Sequence, residues 1–122
     1  MNEQLLRYFF GGFVRLHILY HAAKQPICGV EIMEELGRHG YQLSPGTLYP
    51  MLHHLENDGY LKRETRIVEG RRRKYYRITR AGRQMLRRAR SQVRELTDEL
   101  IEDRDSMAKA ARGRVIAKVR VT

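Results

Sequence analysis

Tryptophan is absent from this 122-residue chain, and cysteine occurs once, at Cys28. A single cysteine excludes an intramolecular disulfide framework. No apolar run is long enough to span a bilayer. The opening residues, MNEQLLRYFFGGFVRLHILYHAAKQ, carry an apolar stretch broken by Arg15 and His17, with no small-residue cleavage site after it, so they do not read as a signal peptide. These absences favour a cytoplasmic protein with no membrane association. Also missing are a phosphate-binding glycine loop, a nucleophile elbow and paired acids in a setting that would perturb them. An enzyme is therefore not expected, and no cofactor is implied. The most informative shortage is of acid: residues 61–94 hold only Glu64 and Glu69 against fourteen basic residues.

That block, at net +12, dominates a chain of formal net charge +10. Residues 1–60 are at −2, residues 95–105 at −5 and residues 106–122 at +5. Charge this localised points to a polyanionic partner; the alternative is a merely solvated basic face. A membrane surface fits less well, because Tyr75, Tyr76 and Ile78 have strand spacing rather than an apolar helical face.

Residues 5–24 are helical in character, with Leu5, Leu6, Phe9, Phe10, Phe13, Leu16, Ile18 and Leu19 spread over most sides. Gly11 and Gly12 interrupt them and are expected to delay the helix to about residue 12. Gln25-Pro26 ends it. This much apolar surface exceeds what one small domain needs, so part of it is expected to face a partner chain or a ligand. A second helix is expected from Cys28 to Arg38, with Val30, Ile32, Met33 and Leu36 in the core and Gly37 or Gly40 as the stop. The third starts sharply, with Ser44 as N-cap and Pro45 at the first helical position. Leu48, Met51, Leu52 and Leu55 form its buried stripe, and Asn57-Asp58-Gly59 stops it. Tyr60–Val68 and Arg71–Ile78 read as a hairpin turned at Glu69-Gly70. Three helices followed by a hairpin form a winged helix-turn-helix, giving a mainly α fold with a small β-hairpin.

Thr79 is a suitable cap for a long last helix. Gly82, Leu86, Ala89, Val93, Leu96 and Leu100 recur at steps of four and three, the heptad stripe of a helix that pairs with another. The alternative is packing on its own domain alone. The expected organisation is a winged helix-turn-helix DNA-binding domain at 1–78, a C-terminal dimerisation helix at 79–105 and a basic tail at 106–122.

The run Ser44-Pro45-Gly46-Thr47-Leu48-Tyr49-Pro50, then Leu52, Leu55-Glu56, Gly59-Tyr60-Leu61 and Gly70-Arg71-x-Arg73-Lys74-Tyr75-Tyr76, resembles the PadR family of bacterial transcriptional regulators. Thr79-x-x-Gly82 and Gly29-x-Glu31-Ile32 match the same family, and Val30 stands where the family often has an aromatic residue. The likeness covers residues 12–104 and is to the short subgroup with one C-terminal helix. It implies a homodimeric repressor on an inverted-repeat operator in double-stranded DNA, often released by a small ligand.

The residues expected to meet DNA are Ser44, Gly46, Thr47, Tyr49 and His53 on the third helix and Arg72 and Lys74 on the wing. A helix N-terminus favours phosphate, and Thr47 suits a thymine methyl or a backbone oxygen. Tyr49 resembles a DNA-touching family position; its alternative is packing against the wing. His53 and His54 reach outward from the same helix, toward phosphate or toward solvent. Strand alternation puts Arg72 and Lys74 on one face and Arg71 and Arg73 on the other. Phe9, Phe13, Leu86, Val93, Leu96 and Leu100 are the expected dimer residues. Phe9, Phe13, Val93 and Leu96 are also the expected lining of a cavity for an apolar or aromatic effector. His17 and His21 stand four apart on a helix, but without a third ligand they read as ordinary helix residues, and no metal is expected. Cys28 reads either as a redox-sensitive thiol at a helix N-terminus or as a small buried residue. The competing function is a winged-helix protein-interaction module that reads no DNA sequence.

Overall fold

The computed structural model describes residues 3–102. They fall into two compact units that meet between Arg88 and Ala89, so that the last helix belongs to both. The expected tail at 106–122 lies outside the described residues.

The first helix, α1 (Gln4–Lys24), runs unbroken through Gly11 and Gly12, in contrast to the expected start near residue 12. Each glycine costs about 1 kcal/mol relative to alanine but keeps its backbone groups, so the pair weakens the helix without breaking it. The Arg15 guanidinium also donates to the Gly11 carbonyl at 3.0 Å. Only the second half of α1 enters the core, through Val14, Ile18, Leu19 and Ala22. Gln25, extended before Pro26, ends it.

The sheet has three strands rather than the two of the expected hairpin. Strand β1 (Ile27–Cys28) pairs antiparallel with residues Tyr75 and Tyr76. Helix α2 (Gly29–Arg38) follows at once, with the Cys28 amide donating to the Glu31 carboxylate at 3.0 Å in a capping box. Ile32 and Leu36 are buried and Met33 packs beside them. Val30, expected in the core, is 51% exposed; two residues before Ile32, it sits about 200° around the helix from it. The Tyr41 amide bonds to the Leu36 carbonyl and the Gly40 amide to Gly37, a Schellman turn with Gly40 at φ +90°.

Helix α3 (Pro45–Asn57) buries Leu48, Leu52 and Leu55. It too ends in a Schellman turn, Tyr60 bonding to Leu55 and Gly59 to Glu56. Strands β2 (Leu61–Val68) and β3 (Arg71–Ile78) pair in full register, in the sheet order β1-β3-β2. Glu69 and Gly70 both have positive φ, as a two-residue hairpin turn requires. Leu61, Tyr76 and Ile78 bring the base of the hairpin into the core shared by the helices.

Helix α4 (Arg80–Thr97) starts at Thr79, whose hydroxyl accepts from the Gly82 amide at 3.0 Å and donates to the Gly59 carbonyl. Gly82 is buried: a Cβ there would collide with the Tyr60 carbonyl and lie 2.6 Å from Ile78 Cγ1. Arg83 reaches the Ala23 carbonyl at 3.3 Å. Met85 and Leu86 pack against the same core. The second unit holds the rest of α4, where Val93 and Leu96 are exposed, and a π-helical segment, Asp98–Glu102, where Leu100 and Ile101 are exposed.

Candidate nucleic-acid interface

At the start of α3 the sequence Ser44-Pro45-Gly46-Thr47 is exposed along its whole length. Ser44 occupies the N-cap position, but its hydroxyl lies 3.2 Å from the Thr47 hydroxyl and caps no backbone amide. The positive end of the helix is therefore dressed by two hydroxyls that face solvent, a setting suited to phosphate. His53 and His54 are exposed further along α3. Tyr49 differs: it is half-buried, and its ring lies against Gly29 at the start of α2, where any Cβ would strike the hydroxyl and ring carbons. Its ring contact is with α2, and it also lies near Tyr76 at the base of the wing.

In the hairpin, Leu61 opposes Ile78, Arg63 opposes Tyr76, Thr65 opposes Lys74 and Ile67 opposes Arg72. Strand alternation puts Arg72 and Lys74 on the pleat face of Tyr76 and Ile78, the face that packs on the helices at its base. Arg71 and Arg73 share the other face with Tyr75 and Arg77. On that face Arg66 directly opposes Arg73, a like-charge pairing that destabilises a bare hairpin. Arg66 is partly neutralised by Glu64 at 2.7 Å and lies over the Tyr75 ring, 4.9 Å from its centroid. Arg63 pairs with Glu56 of α3 at 3.6 Å. Arg71, Arg72, Arg73 and Lys74 are all exposed, and among the described residues none of them has an acidic partner. Four consecutive cations without acidic partners form a surface suited to a polyanion.

The residues expected at a dimer face divide. Leu86 is half-buried against the core of its own domain. Phe9, Phe13, Val93, Leu96 and Leu100 are each 38–66% exposed. Phe9 and Phe13 stack at 5.3 Å and Phe10 meets Phe9 edge-on at 5.5 Å, an aromatic ridge along α1. Of the four residues expected to line an effector cavity, Val93 borders a shallow depression with Arg90, Arg94, Thr97 and Asp98.

Sequence reasoning missed a cluster on α1 and the α2–α3 turn. His17 and His21 are joined there by His39 and Tyr41, with Glu35 alongside. Burial, then the neighbouring His39 and His21, holds His17 below the ordinary histidine value. His21 is lowered by burial first, and the Glu35 carboxylate partly opposes that. No spacing rule links residue 39 to residues 17 and 21, so no signal in the sequence could have shown it. Cys28 is buried at the N-cap of α2. No helix among the described residues is long and apolar enough to cross a membrane.

Helix-turn-helix, basic hairpin and trailing helix define the class of winged-helix proteins. Within that class, residues 18–88 match the model of the transcriptional regulator PadR-like family. The chain is 51% identical over 96 residues to the transcriptional regulator Rv3488 of Mycobacterium tuberculosis, covering 79% of this chain and 90% of that protein. It is similar in structure to a PadR-like transcription factor from Bacteroides fragilis, with a TM-score of 0.70, 28% identity, and 80% and 95% of the two chains covered. It is also similar to a PadR family transcriptional regulator from Eggerthella lenta, with a TM-score of 0.68, 32% identity, and 80% and 86% covered. The chain belongs to the PadR-like family and is a transcriptional regulator, not an enzyme.

Proposed function

We propose that this regulator acts in the cytoplasm as a homodimeric repressor that binds an inverted-repeat operator and is released by a small apolar or aromatic ligand. The observation that carries the DNA-binding part is the run Arg71, Arg72, Arg73 and Lys74, exposed and without acidic partners among the described residues. In this reading α3 enters the major groove. Thr47 and His53 face base edges or phosphate, Ser44 and Gly46 hold a phosphate at the helix start, and the wing grips the flanking backbone. Tyr49 acts from its seat against Gly29, setting the angle between α2 and α3 and reaching DNA with its ring edge.

Support for pairing comes from Phe9, Phe13, Val93, Leu96 and Leu100, large apolar side chains left exposed, the kind of surface that marks interaction sites. A dimer would read half-sites roughly 34–36 Å apart. A ligand held by Phe9, Phe13, Val93 and Leu96 would change how two α4 helices cross, and so the spacing of the two reading helices. It can do so only by its differential affinity for the two dimer shapes.

Binding to an inverted repeat from the DNA beside the gene is compared with binding to a random duplex of the same length. A specific complex at least about a thousandfold tighter than the random one supports sequence reading. Equal affinity for both would replace this reading with a module that uses the fold for other contacts. An effector found by thermal-shift screening should bind more weakly once operator is present, because linkage is reciprocal.

A further inference from the structure

Three histidines converge where α1 passes the turn between α2 and α3. His17 and His21 lie four residues apart on α1 and share one face of it. His39 is the C-cap of α2, in the Schellman turn closed by Gly40. One ring nitrogen from each of the three lies within 4.8 Å of the other two. The His17 and His39 rings are 4.6 Å apart between centroids, and those of His21 and His39 5.9 Å.

The protein alone leaves this arrangement unsatisfied. Nε2 of His21 is buried with no hydrogen-bond partner, and the Glu35 carboxylate stands 4.0 Å from it, beyond hydrogen-bond reach. A buried polar atom without a partner costs about 1–3 kcal/mol. Imidazoles gathered on one point also repel one another as soon as they are charged. A cation held by the three nitrogens relieves both problems.

We propose that His17, His21 and His39 form a binding site for one divalent transition-metal ion per protomer, of the zinc type. Three imidazole nitrogens are the donor set that suits zinc, nickel, cobalt and copper, whereas magnesium and calcium require oxygen ligands. Bond lengths of about 2.0–2.1 Å in a tetrahedron set the three nitrogens about 3.4 Å apart, so the cluster must contract by at most about 1.4 Å, within reach of small side-chain rotations. The fourth position falls to water, which Glu35 is placed to hydrogen-bond. Cys28 takes no part, since it caps the opposite end of α2.

The location gives the site a consequence. The ion would tie the α2–α3 turn to α1, and α3 begins within a few residues of His39. Metal occupancy would therefore restrain the helix start that carries Ser44, Gly46 and Thr47. The proposal of the site itself does not depend on the DNA-binding reading.

Metal-free full-length protein is titrated with zinc chloride in a calorimeter, and separately with cobalt chloride while the visible spectrum is recorded. The expected results are one zinc per protomer, a tetrahedral cobalt spectrum displaced by zinc, and a rise in melting temperature with zinc. His39→Gln, at an exposed cap residue, should keep the fold by circular dichroism, lose the cobalt spectrum and weaken zinc at least about a hundredfold. His17→Gln should do the same. Wild-type protein that takes up no zinc at micromolar concentrations overturns the proposal. So does a folded His39→Gln variant that binds zinc as tightly as wild type, or loss of zinc only when His53 and His54 are both replaced, which would put the ion on α3.

Discussion

The wing offers the sharpest quantitative test. Arg72 and Lys74 are exposed and have no acidic partners among the described residues, so replacing both with alanine breaks no ion pair. Stability should change by no more than about 0.5 kcal/mol. Their role would appear only against a polyanion. Each phosphate contact contributes about 0.9 to the slope of log affinity against log salt. Two cations per protomer, over two protomers, remove about 3.6 from that slope, or about 1.8 if only one wing of a dimer engages. Between 50 and 200 mM salt, the advantage of the wild type over the Arg72→Ala/Lys74→Ala variant should then shrink roughly a hundredfold. Fluorescence anisotropy on a labelled operator, repeated on random duplex, measures it; contacts made to the backbone alone would make both duplexes lose equally. The Arg71→Ala/Arg73→Ala pair tests the face assignment. Arg72 and Lys74 lie on the pleat face of Tyr76, toward the helices, so theirs should be the larger loss. Unchanged slopes for both pairs would remove the wing from DNA binding, and a larger effect from Arg71 and Arg73 would reverse the face. Arg66→Ala should move the slope least, since Glu64 already pairs with it.

Gly82→Ala should destabilise the domain by about 1–3 kcal/mol in urea unfolding, because the new Cβ meets the Tyr60 carbonyl and cannot be relieved by a side-chain rotation. Gly37→Ala, with nothing near its Cβ, should instead gain about 0.5–1 kcal/mol from helix propensity; the same sign for both would refute the packing argument. Val93→Glu with Leu96→Glu should yield folded monomers in equilibrium sedimentation, since both side chains are 41–46% exposed. Dimers that persist would place the interface elsewhere. Thr47→Ala should relax discrimination among operator variants by about 1–3 kcal/mol at one base pair, and a uniform loss across all variants would mean that Thr47 touches only backbone.

The parts of this fold that were legible in the sequence are those set by local chemistry. Pro45 at a first helical position, Leu48, Leu52 and Leu55 on one stripe, Glu69-Gly70 at a tight turn and Thr79 ahead of a helix each act within a few residues. What escaped depends on partners distant in the chain. Strand β1 is two residues long and exists because Ile27 and Cys28 meet Tyr76 and Tyr75. Gly29 matters because Tyr49 lies on it, and His39 because α1 passes the turn that holds it.

Helix α4 shows the limit most clearly. Its heptad stripe runs in the sequence from Gly82 to Leu96 and is followed by Leu100 on the π-helical segment, and periodicity names the apolar face but not what covers it. Gly82 is buried and Leu86 half-buried against the core of their own domain, while Val93, Leu96 and Leu100 on the same stripe are exposed. One uninterrupted pattern therefore serves two ends: anchoring the wing domain at its start, and leaving an apolar edge beyond Arg88. A dimer built on that edge would place the pairing face directly after the residues that anchor each domain in the chain. Because Leu86 is taken up by its own domain, the substitutions most informative about dimerisation are Val93 and Leu96.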